Sequence, residues 1–215
     1  MTLRLAGSTS GYTEIDAPAV AGSNTLVLPT GNGSADQALV TNGSGTLSFA
    51  DRGRLVQGTA QNSTSGTSID FTGIPSWVKR VTVTLSEVSL SGTSTFLFQV
   101  GAGSIATTGY NSGAVSVSVS TSNTTSGAGS NTTTGITSAG YTGTAGSTAY
   151  GHVVFTNVTG NTWVATGALY VNGALRVVTF GGGISLSGTL DRIRITTVNG
   201  TDTFDAGSIN ILYEG

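Results

Sequence analysis

The chain has 215 residues, with 8 Lys or Arg, 10 Asp or Glu, 1 His and no Cys, and a formal net charge of −2. The missing cysteine excludes disulfides and thiolate metal sites. Basic residues this few and scattered argue against nucleic-acid binding, which needs a basic stripe to neutralise phosphates.

The charges are unevenly placed. Residues 88–175 hold no Asp, Glu, Lys or Arg, so 88 consecutive positions carry no formal charge and a single histidine. That removes most acid–base, metal-ligand and ion-pair chemistry from the middle of the chain. Gly, Ser and Thr together account for 97 residues. The 37% of hydrophobic residues arrive in short runs of Val, Ile, Leu and Phe alternating with Thr and Ser. Half-buried strands read this way, and threonine suits them with a β-branched stem and an uncharged hydroxyl. The start Met1-Thr-Leu-Arg4 lacks the long apolar run of a signal peptide, and no stretch approaches the length of a membrane span, so no membrane insertion is expected.

Residues 1–50 read as short strands broken by turns. Leu3 and Leu5 alternate, Gly7 to Gly11 interrupts, Tyr12 and Ile15 follow, and Leu26-Val27-Leu28 stops at Pro29. Ala38 to Phe49 holds two strand-like pieces around Asn42-Gly43, a hairpin signal. Fifty residues are too few to bury a core alone, so this N-terminal β-arm is expected to be ordered by other protein, sister subunits or a larger assembly. Residues 51–68 read as a connector, and residues 69–215 as an antiparallel β-sandwich or jelly-roll-like head.

Strand candidates in the head are Val81/Val83/Leu85, Phe96/Phe98/Val100, Val115/Val117/Val119, Val153/Phe155, Trp163 to Val171, Leu175/Val177, Ile184/Leu186, Leu190/Ile193/Ile195 and Ile209/Ile211/Tyr213. Residues 120–148 read as long loops. Asn172-Gly173 and Asn199-Gly200 are predicted as type I′ hairpin turns, and Gly181-Gly182-Gly183 as a bend or bulge.

No catalytic constellation emerges. His152 lacks a G-x-S-x-G partner and reads as a strand or rim residue. Asp191, with Arg192 and Arg194, looks like an ion-paired edge, while Asp202 and Asp205 look like turn caps. A calcium site among these three acids is the alternative, though their spacing matches no EF-hand. No catalytic residue, metal ligand or cofactor is expected. Aromatic rings among hydroxyls and amides suit a neutral glycan, which makes Tyr110, Tyr141, Tyr150 and Trp163 the candidate receptor contacts.

Two long strings resemble a known group. The N-terminal phrase Leu5-Ala-Gly-Ser-Thr-Ser-Gly-Tyr12, continuing through Ala17-Pro18, Leu28-Pro29, Asp36-Gln-Ala-Leu39 and Gly43-Ser-Gly-Thr-Leu47, looks like the attachment segment of tailed-phage virion surface proteins. Ile69-Asp-Phe-Thr-Gly-Ile-Pro-Ser-Trp-Val-Lys-Arg80 and Leu186-Ser-Gly-Thr-Leu-Asp-Arg-Ile-Arg-Ile195, with Asn199 to Asn210, resemble the head domain of the same group. The resemblance implies a homotrimeric tail fibre, spike or head fibre on the particle exterior. Residues 1–50 would dock on other virion proteins and the head would face the host, with a host-surface glycan as the partner. A capsid decoration protein without a receptor is the first alternative. A virion polysaccharide depolymerase, with a site built from Asp70, Asp191, Asp202 or Asp205 between subunits, is the second.

Overall fold

The computed structural model describes residues 3–20, 22–35, 37–50, 52–118, 128–138 and 145–215, with backbone alone at 128–130. Among the described residues the protein is all-β, 56% strand and 0% helix, with antiparallel sheets. It divides into two compact units, Met1–Arg52 and Gly53–Gly215.

The first unit consists of two hairpins. β1 (Leu3–Ala6) pairs with β2 (Tyr12–Ile15), setting Leu3 opposite Ile15. β3 (Ala38–Thr41) pairs with β4 (Leu47–Ala50), forming the hairpin expected around Asn42-Gly43. Its loop is stabilised by the Asn42 side-chain carbonyl, which accepts hydrogen bonds from the amides of Ser44 (2.8 Å) and Thr46 (3.2 Å). The apolar run at 26–28 contributes one parallel bridge, from Val27 to Thr46. No described residue of this unit is buried.

In the second unit the strands are β5 (Leu55–Gln57), β6 (Gln61–Asn62), β7 (Ser68–Thr72), β8 (Arg80–Leu90), β9 (Phe96–Ala102), β10 (Ser104–Ile105), β11 (Asn111–Ser118), β12 (Ala128–Thr132), β13 (Ile136–Thr137), β14 (Thr148–Thr159), β15 (Thr162–Asn172), β16 (Arg176–Ser185), β17 (Arg192–Thr197) and β18 (Phe204–Glu214). A nine-stranded sheet runs β12-β11-β16-β15-β14-β8-β18-β5, with β6 also on β18. A five-stranded sheet runs β10-β9-β17-β7, with β13 also on β9. The chain changes sheet at almost every long connection, and the two inner faces share one apolar core, an arrangement consistent with a β-sandwich.

Phe98 of the small sheet stacks on Phe180 of the large one, with ring centroids 5.5 Å apart and planes 8° from parallel. Phe96 and Phe204 bridge the sheets in the same way at 6.4 Å. The ring of Phe180 lies so close over Gly167 on the neighbouring strand that a Cβ there would overlap it. Glycine therefore serves at 167 because an aromatic ring occupies the space of its missing side chain. β9 is covered on both faces: Phe96, Phe98 and Val100 face the core, while Gly135 lies over Leu97 and Gln99 donates to the Thr134 carbonyl at 2.8 Å.

Several expectations are revised. Residues 55–57 and 61–62, read as connector, pair with β18 and supply hydrogen-bond partners along its edge. Within residues 120–148, read as loops, Ala128–Thr132 pairs with β11 and Ile136–Thr137 with β9, held more by backbone bonds than by apolar periodicity. Gly181, Gly182 and Gly183 lie in an unbroken ladder with both neighbours rather than at a bulge. Beyond Asn172-Gly173, Val171 faces Arg176 across a longer loop in which Leu175 has a φ of 49°. Asn199-Gly200 makes no hairpin, because β17 and β18 belong to different sheets. The Asn199 side chain instead accepts from the amides of Thr201 and Asp202, each at 3.1 Å, and turns the chain across the core.

Gly167→Val should lower stability by about 1–3 kcal/mol, because the new side chain must displace the Phe180 ring. Thr166→Val, one residue away and exposed, should stay within about 0.5 kcal/mol of the parent. Urea denaturation midpoints at unchanged slope measure both.

Candidate functional site

Strand register assembles one continuous uncharged surface from three strands of the charge-free stretch and from β16, which follows it. Residues paired across antiparallel strands share a face, so the pairings Val117–Val177–Tyr170–Tyr150 form one row on the outer side of the large sheet. Val115–Thr179–Ala168–His152 form the next, and Gly113–Gly181–Thr166–Val154 the one after. Continuing across the sheet, Thr156 leads to Arg80 and Glu214, which pair with each other at 3.0 Å. Up to that ion pair the four-strand surface from β11 to β14 contains no Asp, Glu, Lys or Arg.

β11 is turned opposite to the half-buried reading. Its serines point inward, with Ser112 and Ser116 buried, while Val115 and Val117 are 44% and 43% exposed. The inversion has a steric cause. Ser112 donates to the Gly135 carbonyl at 2.7 Å, so the segment leading into β13 passes close beneath this end of the sheet. Opposite Ser112, a Cβ on Gly182 would overlap the Asn111 carbonyl. Only small inward residues fit there, and Ser112, Ala114 and Ser116 supply them. Ser116 is satisfied by the Arg176 guanidinium at 3.1 Å. With the small residues inside, the valines are left outside.

At one corner of the surface β8 carries a bulge. Val88 faces Ala149 and Leu85 faces Gly151, so β8 has an extra residue, and Glu87 takes the left-handed conformation with a φ of 58°. Tyr150 donates its phenol proton to the Glu87 carboxylate at 3.2 Å, with Tyr170 directly across the ladder. Tyr150 is thus a half-buried ring at the rim of an uncharged face.

The other aromatic candidates are not at the surface. Tyr110 is 2% exposed, and its hydroxyl accepts from the Val100 amide (2.7 Å) and donates to the Val100 carbonyl (3.1 Å). It fills the side of β9 away from β17, between β10 and β13, where neither of these two strands is in register with Val100. Burial pushes its phenol pKa up to about 12, against the lowering effect of the Val100 hydrogen bond. Trp163 is 3% exposed, on the inner face of β15. Neither can stack on an external sugar, because a ring must have a solvent-facing side to do so. Tyr141 lies outside the described residues. Sequence reading missed Tyr170 and the outward valines, because alternation separates two faces without saying which is inner.

The carboxylates weighed for chemistry hold structure together. Asp70 forms a two-point pair with Arg194 (2.8 and 2.7 Å), and Asp191 does the same with Arg192 (2.7 and 3.0 Å). Asp191 also accepts from the Gly103 amide, and the Arg192 hydrogen bond is the main cause of its lowered pKa. Asp202 ties two loops by accepting from the Asn199 side chain (2.7 Å) and the Ser94 amide (2.8 Å), which lower its pKa in that order. Asp205 accepts from the Ser89 hydroxyl. No group of three His, Cys, Asp or Glu side chains able to hold a metal ion occurs among the described residues. His152 is exposed, in register with Thr84 on one side and Ala168 on the other.

Compared with family models, curated proteins and solved structures, the chain gives no match.

Alkaline titration should reveal one tyrosine, absent from Tyr110→Phe, that ionises only near pH 12. Its folded pKa lies above the ordinary 10.0, so its contribution to stability is complete below pH 10.0 and is lost as pH rises through about 12. Phenolate absorbance difference spectra measure it. At the acid end the sign reverses. The lowered pKa of Asp202 gives a contribution present above 3.8 and lost as pH falls below that value. Asp202→Asn should therefore flatten the loss of urea stability between about pH 4 and pH 2.

Proposed function

We propose that this protein is a structural component of a tailed-phage virion, a short homotrimeric fibre or spike on the particle exterior. Its N-terminal unit anchors on other virion proteins, and its β-rich second unit is presented for host adhesion. The observation that carries this reading is the state of the N-terminal unit. Ile15 is 62% and Leu28 70% exposed, and Leu3, Leu5, Tyr12 and Leu26 are exposed as well, in a unit without a described buried residue. Two-stranded ribbons with apolar residues open to water are marginal by themselves and need a covering surface. The phrases resembling phage attachment segments include Leu5, Tyr12 and Leu28 of this unit. Tyr150, oriented by Glu87 at the rim of the outer face, is the aromatic contact this reading assigns to a host-surface glycan.

A capsid decoration role is the second reading. It is favoured by the burial of Tyr110 and Trp163, which removes two of the four aromatic candidates from any receptor surface.

Leu5→Asp with Ile15→Asp in the full chain should leave the second unit folded and abolish incorporation into particles, read by antibody labelling of purified virions. Full incorporation of this variant would overturn the anchoring role. Tyr150→Ala should reduce adsorption of the purified protein to host cells. Adsorption absent from both forms, with incorporation intact, would leave the decoration role in its place.

A further inference from the structure

The outer face of β11, β16, β15 and β14 is more apolar than its exposure requires. In the second unit Val115, Val117, Val164, Tyr170, Leu175 and Val177 are exposed on this face or its rim, with Val177 at 39% and Tyr170 at 40%. β11 contributes two of them through its inverted orientation, in which serines occupy the inner side. An uncharged array of valine, threonine and glycine is not how a strand pair meets water, where Lys and Glu normally intersperse. We infer that this face is the surface through which copies of the chain meet, its occupant being a second copy of the same protein.

Three observations select that occupant. Four strands about 4.8 Å apart and rows about 6.7 Å apart give a patch roughly 20 Å by 25 Å. A corrugated surface of that extent offers on the order of 700 Å2, close to the about 800 Å2 that each partner gives to a standard interface. The valine half of the face can meet another copy without burying an ion, since the nearest charges, Glu87 beside Tyr150 and the Arg80–Glu214 pair, lie at the rim and beyond β14. The N-terminal unit independently leaves apolar residues uncovered, so an assembly of copies accounts for exposed apolar surface in both units. A glycan fits the valine half poorly, because the row Val117–Val177–Tyr170 offers one phenol where sugar sites converge several polar groups. Tyr150 sits beyond Tyr170 at the rim beside Glu87, outside the valine half. The assignment rests on the reading of the chain as a self-assembling protein, and it specifies which face assembles.

The full chain and its Val117→Lys, Val177→Lys double variant should be compared by size-exclusion with light scattering. The parent should elute as an oligomer and the variant at the 21.4 kDa of one chain, with strand content unchanged by circular dichroism. Val198→Lys, exposed on the connection between β17 and β18, should retain the parent mass. A variant that keeps the parent mass would overturn the assignment of this face while leaving self-assembly standing. A monomeric parent would overturn self-assembly and this face together. Because the chain has no cysteine, V177C introduces a unique thiol and requires no charged substitution. In the assembled protein it should react with maleimide about tenfold more slowly than V198C. Equal rates would count against the face whatever the lysine variants do.

Discussion

The second unit depends on the contact of Phe98 with Phe180. Each ring comes from a different sheet, and their parallel stacking fixes how far apart the sheets lie. That distance has consequences on either side. Below Phe180 the neighbouring strand must be glycine at 167, and β11 on the other side presents Ala114 in register with it. Beside it, the segment entering β13 approaches closely enough to bond Ser112, so larger residues have no room on the inner side of β11. The valines of β11 therefore point outward, and the uncharged outer face follows from how the interior is filled.

Several polar groups inside this core are satisfied by backbone edges, while Ser116 and Ser89 meet the Arg176 guanidinium and the Asp205 carboxylate. Tyr110 supplies both a donor and an acceptor to Val100 where the ladder of β9 has a gap, and Ser63 donates to the Ala206 carbonyl beside the bulged part of β18. A buried hydroxyl costs little once its hydrogen bonds are made, whereas a buried ion must be desolvated first. The long stretch without charge can therefore contribute strands to the middle of a large sheet. On the large sheet Arg80 and Glu214 pair with each other, and further paired charges lie on the small sheet and at the loops joining the two. There Asp70–Arg194 and Asp191–Arg192 flank β17, and Asp202 holds the connection to β18.

For function, the distribution of apolar surface matters more than any single side chain. One unit exposes apolar residues because it has no core, and the other because one strand is turned with its valines outward. Under the proposed role both are covered by other protein. The proposed virion role and the proposed self-contact draw on the same physical deficit, met at two places. The aromatic residues that a sugar would need are mostly spent on the interior, which moves the emphasis from recognition toward assembly.

Much of this was legible in residue types. The strands around Phe96, Val153, Trp163 and Ile209, the hairpin at Asn42-Gly43 and the all-β class follow from alternation, β-branched content and turn chemistry, which act over a few residues. Other features depend on partners distant in the chain. Asn199-Gly200 has the chemistry of a hairpin turn, yet it crosses between sheets because its flanking strands pair elsewhere. Residues 55–57 and 61–62 look like linker until the edge of β18 gives their backbone a partner. Tyr110 and Val115 carry no local sign of which is buried. The sequence by itself determined the strand class, the uncharged middle and the coreless N-terminal part, since these are properties of composition and short-range pattern. The tertiary structure alone decided which side of each strand is inner. A period of two distinguishes the two faces of a strand, but only the space left by the opposite sheet says which of them must be small.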